Sequence, residues 1–194
     1  MDLPPLILAS ASPRRRELLC LLALPFRVEP SEAPEPSFAG GDPAEYAMGL
    51  ARVKALEVLT RRRRPATVLG ADTVVVLDGR VFGKPRDAVD AVEMLSALGG
   101  RTHHVLTGLA LAGPEPGRVE TSVVRTAVTF RPLTPERIAR YVATGEPFDK
   151  AGAYAIQGRG AVLIAGIEGC YFNVVGLPVP TVAELLARRG YPVL

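Results

Sequence analysis

The sequence predicts an α/β domain built on a mixed sheet. Short apolar runs of strand length alternate with segments that open on helix-capping residues, the signature of interleaved strands and helices. Asp78-Gly79 lies between two strand-like runs and marks a hairpin, so at least one antiparallel pair joins the expected crossovers. No repeat and no domain-separating linker occurs in the 194 residues, so one domain over 1–194, or one domain with two lobes, is expected.

Each element has a local reason. Leu6 to Ala9 is a short apolar run, read as a buried strand. Ser12 is a good N-cap and Pro13 suits the first helical position, opening a helix through about Ala23. Phe26 to Glu29 reads as a second strand, and the Pro-, Gly-, Ser- and Glu-rich stretch 30–42 as a loop and candidate lid. Asp42-Pro43-Ala44-Glu45 supplies a cap, a helix-starting proline and a first-turn acid for a long helix to about Thr60. Thr67 to Ala71 is strand-like, and a second run, Val74 to Leu77, leads into the hairpin. Asp87 caps a helix that Gly99-Gly100 ends. Strands His103–Leu111 and Val119–Phe130 flank the turn Gly113 to Gly117. Thr134-Pro135-Glu136 opens a helix ending at Gly145, the glycine-rich 151–170 is expected to hold short strands, and Thr181 to Arg189 is the last helix.

Composition narrows the class. Hydrophobic residues make up 48% and charged residues 22%, a globular rather than a disordered balance. A net charge of +3 suits a phosphate-bearing ligand and is too small for wrapping nucleic acid. Cys20 and Cys170 lack metal or redox spacing; Cys20, inside an apolar run, reads as a small core residue. The apolar stretch after Arg16 is too short to span a bilayer, so a cytoplasmic protein with no membrane partner is expected.

Several residue blocks carry possible chemistry. Only three lysines (Lys54, Lys84, Lys150), one glutamine (Gln157) and one asparagine (Asn173) occur, and all fall in motif-like segments. Arg14, Arg15 and Arg16 crowd a helix start, where cations are unfavourable unless an anion binds there. That points to phosphate, with Arg14 and Arg15 favoured; the alternative is a solvated basic turn. In Gly70-Ala-Asp-Thr73, Asp72 has apolar flanks and is read at a strand end, as metal ligand or general base. The alternative is a turn aspartate bonded to nearby backbone. Gly83-Lys84-Pro85 can aim an ammonium at phosphate, whereas Lys54 alone reads as a solvated helix lysine. Gln157, among small residues, can match a nucleobase edge with a donor and an acceptor, against the reading of a plain strand pair with Asp149 and Lys150 ion-paired. Adjacent His103 and His104 would face opposite sides of a strand and cannot share a metal. The run Arg61 to Arg64 reads as a solvated helix end.

In order, Leu8-Ala-Ser-Ala-Ser-Pro-Arg-Arg15, Lys54, Gly70-Ala-Asp-Thr73, Gly83-Lys-Pro85, Leu98-Gly-Gly-Arg101 with Thr107-Gly108, Glu146 to Gly158 and Asn173 to Pro178 resemble the Maf family of nucleoside triphosphate pyrophosphatases. The resemblance implies an inosine-triphosphatase-like fold: a mixed twisted sheet flanked by helices, with two lobes around a cleft. It implies cleavage between the α- and β-phosphates with a divalent metal, Mg or Mn. Asp72 matches the family's proton acceptor; Arg14, Thr73 and Gln157 match its specificity positions and resemble the dTTP/UTP branch. Ser10, Arg15, Lys54 and Lys84 complete the implied site, with an acidic loop residue that aligns with Glu35, or with neighbouring Glu32. Asp72 and Glu35 are the implied metal ligands, and the implied assembly is a homodimer. The competing readings are a modified-pyrimidine nucleotide hydrolase, a non-catalytic nucleotide-binding regulator of cell division, and a nucleic-acid binder.

Overall fold

A computed structural model describes residues 3–115 and 117–194; Pro116, part of the turn expected after residue 112, lies outside them. In chain order the regular elements are β1 (Leu6–Leu8), α1 (Pro13–Cys20), β2 (Phe26–Val28), α2 (Pro43–Thr60), β3 (Thr67–Leu77), β4 (Arg80–Phe82), α3 (Ala88–Leu98), β5 (Thr102–Ala112), β6 (Val119–Phe130), α4 (Pro135–Val142), β7 (Ile164–Glu168), α5 (Tyr171–Val175) and α6 (Val179–Ala187). The sheet runs β2-β1-β3-β5-β6-β7, with β4 paired to β3. β1 lies parallel to both β2 and β3, while β3–β4 and β6–β7 are antiparallel. This is the expected mixed sheet. The two parallel pairings leave β1 buried at every position, as strands covered on both faces should be.

The chain divides into two compact units. One comprises Met1–Asp72, Thr107–Val124 and Gly176–Leu194; the other comprises Thr73–Leu106 and Arg125–Val175. Neither is a single stretch of chain, which explains why no linker is visible in the sequence. The first unit has a small-residue core in which Ala51, Ala55 and Val58 of α2 meet Ile7, Ala9, Val68 and Ala110. The second has a larger core of Val75, Leu77, Phe82, Leu95, Leu98, Val105, Val128, Phe130, Ile138 and Leu163. Within it His103, Phe130 and Tyr154 pack edge to face, with ring centroids 4.7–5.3 Å apart.

Helix starts follow the local signals. Ser12, Asp42, Asp87 and Thr134 each accept a hydrogen bond from a first-turn backbone N–H, and three of these caps precede a proline. Other expectations need correction. Residues 67–77 form one continuous strand, so Asp72 sits in mid-strand rather than at a strand end. Glycine-rich 151–170 holds one strand, β7, rather than several: tight 3-10 turns occupy Ala151–Ala153 and Gly158–Leu163 before it, after another at Glu146–Asp149. Positive φ at Gly152 and Gly158 suits such turns and breaks strand geometry. Cys20 is exposed, because α1 buries Leu18 and Leu19 and its last residue turns outward. α6 begins two residues earlier than expected, and the short α5 has no periodicity signal.

Candidate active site

In the first unit, two close approaches determine where the acids lie. A Cβ on Gly70 of β3 would stand 2.2 Å from the Ala51 carbonyl oxygen, and one on Gly108 of β5 would stand 2.3 Å from the Ala47 carbonyl. Glycine at these positions lets α2 lie against both strands through its fully buried Ala47, Ala51 and Ala55. Lys54, between Ala51 and Ala55 in sequence, is thereby carried to Asp72, two residues beyond Gly70. Its Nζ donates to Asp72 Oδ1 at 2.6 Å and pairs with Glu35 Oε1 at 2.7 Å. Lys54 and Asp72 are only 9% and 8% exposed, so the pair sits where water screens it weakly. A buried mid-strand acid is costly alone, and Lys54 supplies its counter-charge.

The loop bearing Glu35 is tethered. Tyr46 Oη donates to the Pro36 carbonyl at 2.7 Å, and the Phe38 and Tyr46 rings meet edge to face with centroids 5.2 Å apart. Burial, reinforced by the negative charge of Asp72 and Glu35, pushes the Tyr46 hydroxyl above its ordinary pKa. Glu32 goes elsewhere: it faces Arg61 at 3.6 Å, and its backbone N–H donates to Glu57. The geometry therefore brings Glu35, not Glu32, to Asp72.

Ser10 and Arg15 support the same strand. Arg15 Nε donates to the Gly176 carbonyl and Nη1 to the Ala71 carbonyl, each at 2.8 Å, and Nη1 also reaches Ser10 Oγ at 3.3 Å. Burial lowers the Arg15 pKa, opposed chiefly by the nearby Asp72 carboxylate. Two of its N–H directions thus hold main chain, one of them on the residue before Asp72. Arg14 lies beside it at the helix start and is half-buried. Arg61 and Arg62 are engaged by Glu57 and Glu29, which accounts for half of the four-arginine run.

The remaining sequence candidates belong to the second unit. Thr73 is half-buried on β3, and Lys84 and Gln157 are exposed. The segment carrying Lys84 is pinned by the Gly152 N–H, which donates to the Gly83 carbonyl at 3.0 Å. Lys150 donates to the Glu146 carbonyl at 2.7 Å and pairs with Asp149. Asn173 is fully buried and donates to Val105 O and Thr126 Oγ1, both at 3.0 Å. Both rare residues thus have local structural tasks that their spacing did not reveal. As expected, His103 and His104 face opposite ways: His103 is fully buried at 2.7 Å from Tyr154 Oη, while His104 pairs with Arg125. Sequence reasoning missed Tyr46, Tyr141 and Glu146; only the aromatic close to the acidic loop in sequence and the acid inside the 146–158 block hinted at them.

Two carboxylates on one ammonium are a fitting donor set for a hard divalent cation, which is commonly held by one or two carboxylates plus substrate phosphates. Among the described residues no group of three His, Cys, Asp or Glu side chains converges as a closed cage. No helix among the described residues is long and apolar enough to cross a membrane.

A family model described as "Maf-like protein" matches residues 5–189. The chain is 56% identical over 188 residues to a dTTP/UTP pyrophosphatase of Moorella thermoacetica, covering 97% of this chain and 96% of the relative. It is 52% identical over 187 residues to the Myxococcus xanthus protein of that name (96% and 93% covered) and 50% identical over 186 residues to the Syntrophotalea carbinolica one (95% and 84% covered). Likeness of this degree over nearly the full length, with the motif blocks in order along it, means that the chain belongs to the Maf-like protein family.

Proposed function

We propose that this protein hydrolyses dTTP and UTP between the α- and β-phosphates, releasing the nucleoside monophosphate and pyrophosphate. The reading rests on one geometric observation: Asp72, buried in mid-strand, shares the Lys54 ammonium with Glu35. The names of relatives at 50–56% identity supply the substrate. Pure phosphate binding gains nothing from two acids beside an anion site, which is the reason to prefer catalysis over a non-catalytic nucleotide-binding regulator.

Asp72 takes a proton from the attacking water, whose oxygen forms the new bond to the α-phosphorus. The bond from that phosphorus to the bridging oxygen breaks, and pyrophosphate departs with the electron pair. Asp72 and Glu35 are the residues that would hold a divalent cation, Mg or Mn. Such a cation, when bound, neutralises negative charge on the phosphates. Lys54 balances the two acids, and Arg15, whose Nη1 also donates to Ser10 Oγ, fixes the main chain before Asp72. Arg14 and Lys84 neutralise phosphate charge, while Thr73 and Gln157 read the pyrimidine. Cytoplasmic residence, a homodimer and the absence of a stable nucleic-acid partner belong to the same proposal; light scattering on the purified chain tests the dimer.

The deciding experiment is pyrophosphate release across a nucleotide panel, with and without a chelator. Activity strongest on dTTP and UTP and abolished by the chelator is the expected result. Orthophosphate as first product, or binding without turnover, overturns the proposal.

A further inference from the structure

In the second unit, Gln157 stands at the tip of the short segment 155–160, exposed and with extended backbone (φ −84°, ψ 158°). Both ends of that segment are tied to one pair of side chains. On the near side, the Ala155 N–H donates to Tyr141 Oη at 3.2 Å. On the far side, the Arg159 N–H donates to Glu146 Oε2 and the Gly160 N–H to Glu146 Oε1, both at 2.9 Å. Tyr141 Oη closes the ring by donating to Glu146 Oε1 at 2.8 Å.

The glycines beside Gln157 are shaped by this clamp. A Cβ on Gly158, which has φ +73°, would stand 2.6 Å from Glu146 Oε2. One on Gly160 would stand 2.3 Å from the Ala155 carbonyl and 2.6 Å from Tyr141 Oη. The main chain thus approaches the Tyr141–Glu146 pair more closely than any side chain allows. The pair is itself held: Tyr141 is 5% exposed in the core under α4, and Lys150 anchors the Glu146 carbonyl. Burial pushes the Glu146 carboxyl up, but the Arg159 and Gly160 N–H groups, the Tyr141 hydroxyl and Lys150 together bring it below its usual pKa. It is an acceptor facing three donors, a pattern an amide cannot match.

We infer that Tyr141 and Glu146 are positioning residues for base recognition, holding the 155–160 segment so that Gln157 meets the nucleobase already ordered. This rests on the proposed base-reading role of Gln157. A preordered contact saves the entropy of fixing the segment at binding, so loosening the clamp weakens base discrimination and leaves the phosphate chemistry intact.

The test measures kcat and KM for dTTP, UTP, dCTP and dGTP in Tyr141→Phe, Glu146→Gln and Gln157→Ala, with thermal unfolding of each. Tyr141→Phe and Glu146→Gln are expected to raise KM for dTTP about tenfold, with kcat within about twofold, and to cut the dTTP-over-dGTP preference about tenfold, the scale of one or two lost hydrogen bonds. Added to Gln157→Ala, Tyr141→Phe is expected to leave the preference unchanged further, because the clamp acts through that side chain. Clamp variants with unaltered preference, beside a Gln157→Ala that shifts it, overturn this inference alone. A Gln157→Ala with unaltered preference overturns the base-reading role itself, and an equal fall in kcat on every nucleotide overturns the positioning role. If Glu146→Gln does not fold, Tyr141→Phe, which keeps the ring, decides.

Discussion

Asp72 of the first unit and Glu146 of the second are both tied to close partners, and they are engaged in opposite ways. Glu146 accepts from two backbone N–H groups and a tyrosine hydroxyl, donors fixed by the fold. Asp72 is paired with a lysine ammonium at the end of a four-carbon stem, shared with a loop carboxylate. A carboxylate saturated by fixed donors is architectural, because moving it exposes several buried groups at once. One balanced by a movable point charge can exchange partners at small cost. The difference lies in the partners, not in the residue type, and it is the ground on which we propose chemistry for the first acid and positioning for the second.

The strongest test of that contrast is Asp72→Asn. It is expected to lower kcat for pyrophosphate release by about 10²–10⁴ while leaving the melting temperature close to wild type. Retained turnover would put Asp72 in the same structural class as Glu146.

Next in size is a pH effect in the second unit. Burial, with a smaller contribution from neighbouring His104, pushes the His103 pKa down from 6.5 to about 4. Its Nε2 meets Tyr154, and Nδ1 has no protein partner among the described residues, so the folded state keeps it neutral. As pH falls below 6.5 the unfolded chain takes up a proton that the folded chain refuses, and stability drops until about pH 4. The loss is roughly 3 kcal/mol across that window. Denaturant unfolding should show it, and His103→Gln should flatten the slope by about one proton. An unchanged slope would remove His103 from the account.

Gly70→Ala probes how Lys54 reaches Asp72. With its new Cβ 2.2 Å from the Ala51 carbonyl, α2 must move away from β3. A destabilisation of about 1–3 kcal/mol is expected, with a further loss of activity at temperatures where the variant is fully folded. Full activity in the folded variant would show that the close approach serves packing alone. Smallest is Tyr46→Phe, which frees the Pro36 carbonyl and slackens the Glu35 loop. A weakening of Mn²⁺ binding of a few-fold is expected by titration, in line with one hydrogen bond worth about 0.5–1.5 kcal/mol. Unchanged Mn²⁺ affinity would detach the loop tether from the metal.

Much of the fold was legible because helix starts are local events. Ser12-Pro13, Asp42-Pro43, Asp87 and Thr134-Pro135 each carry their cap within three residues, and all four helices begin where those residues place them. Strand continuity was less legible. Asp72-Thr73 looked like a break between two apolar runs, because a buried aspartate in mid-strand makes sense only once Lys54 is known to face it. The turns within 151–163 were read as strands for a similar reason. Gly152 and Gly158 answer to the distant Val75 and Glu146, not to their sequence neighbours.

By itself the sequence determined the four capped helix starts, the mixed sheet and the roster of site candidates, since capping, hairpin turns and motif order are properties of short stretches of chain. Only the tertiary structure decided which acid joins Asp72, choosing Glu35 over Glu32, and what Lys54, Arg15 and Lys150 hold. It also exposed Cys20 and gave Glu146 its three donors. The reason is range. A charge is settled by whichever partner the fold brings within about 3 Å, and for Lys54 and Asp72 that partner lies 18 residues away.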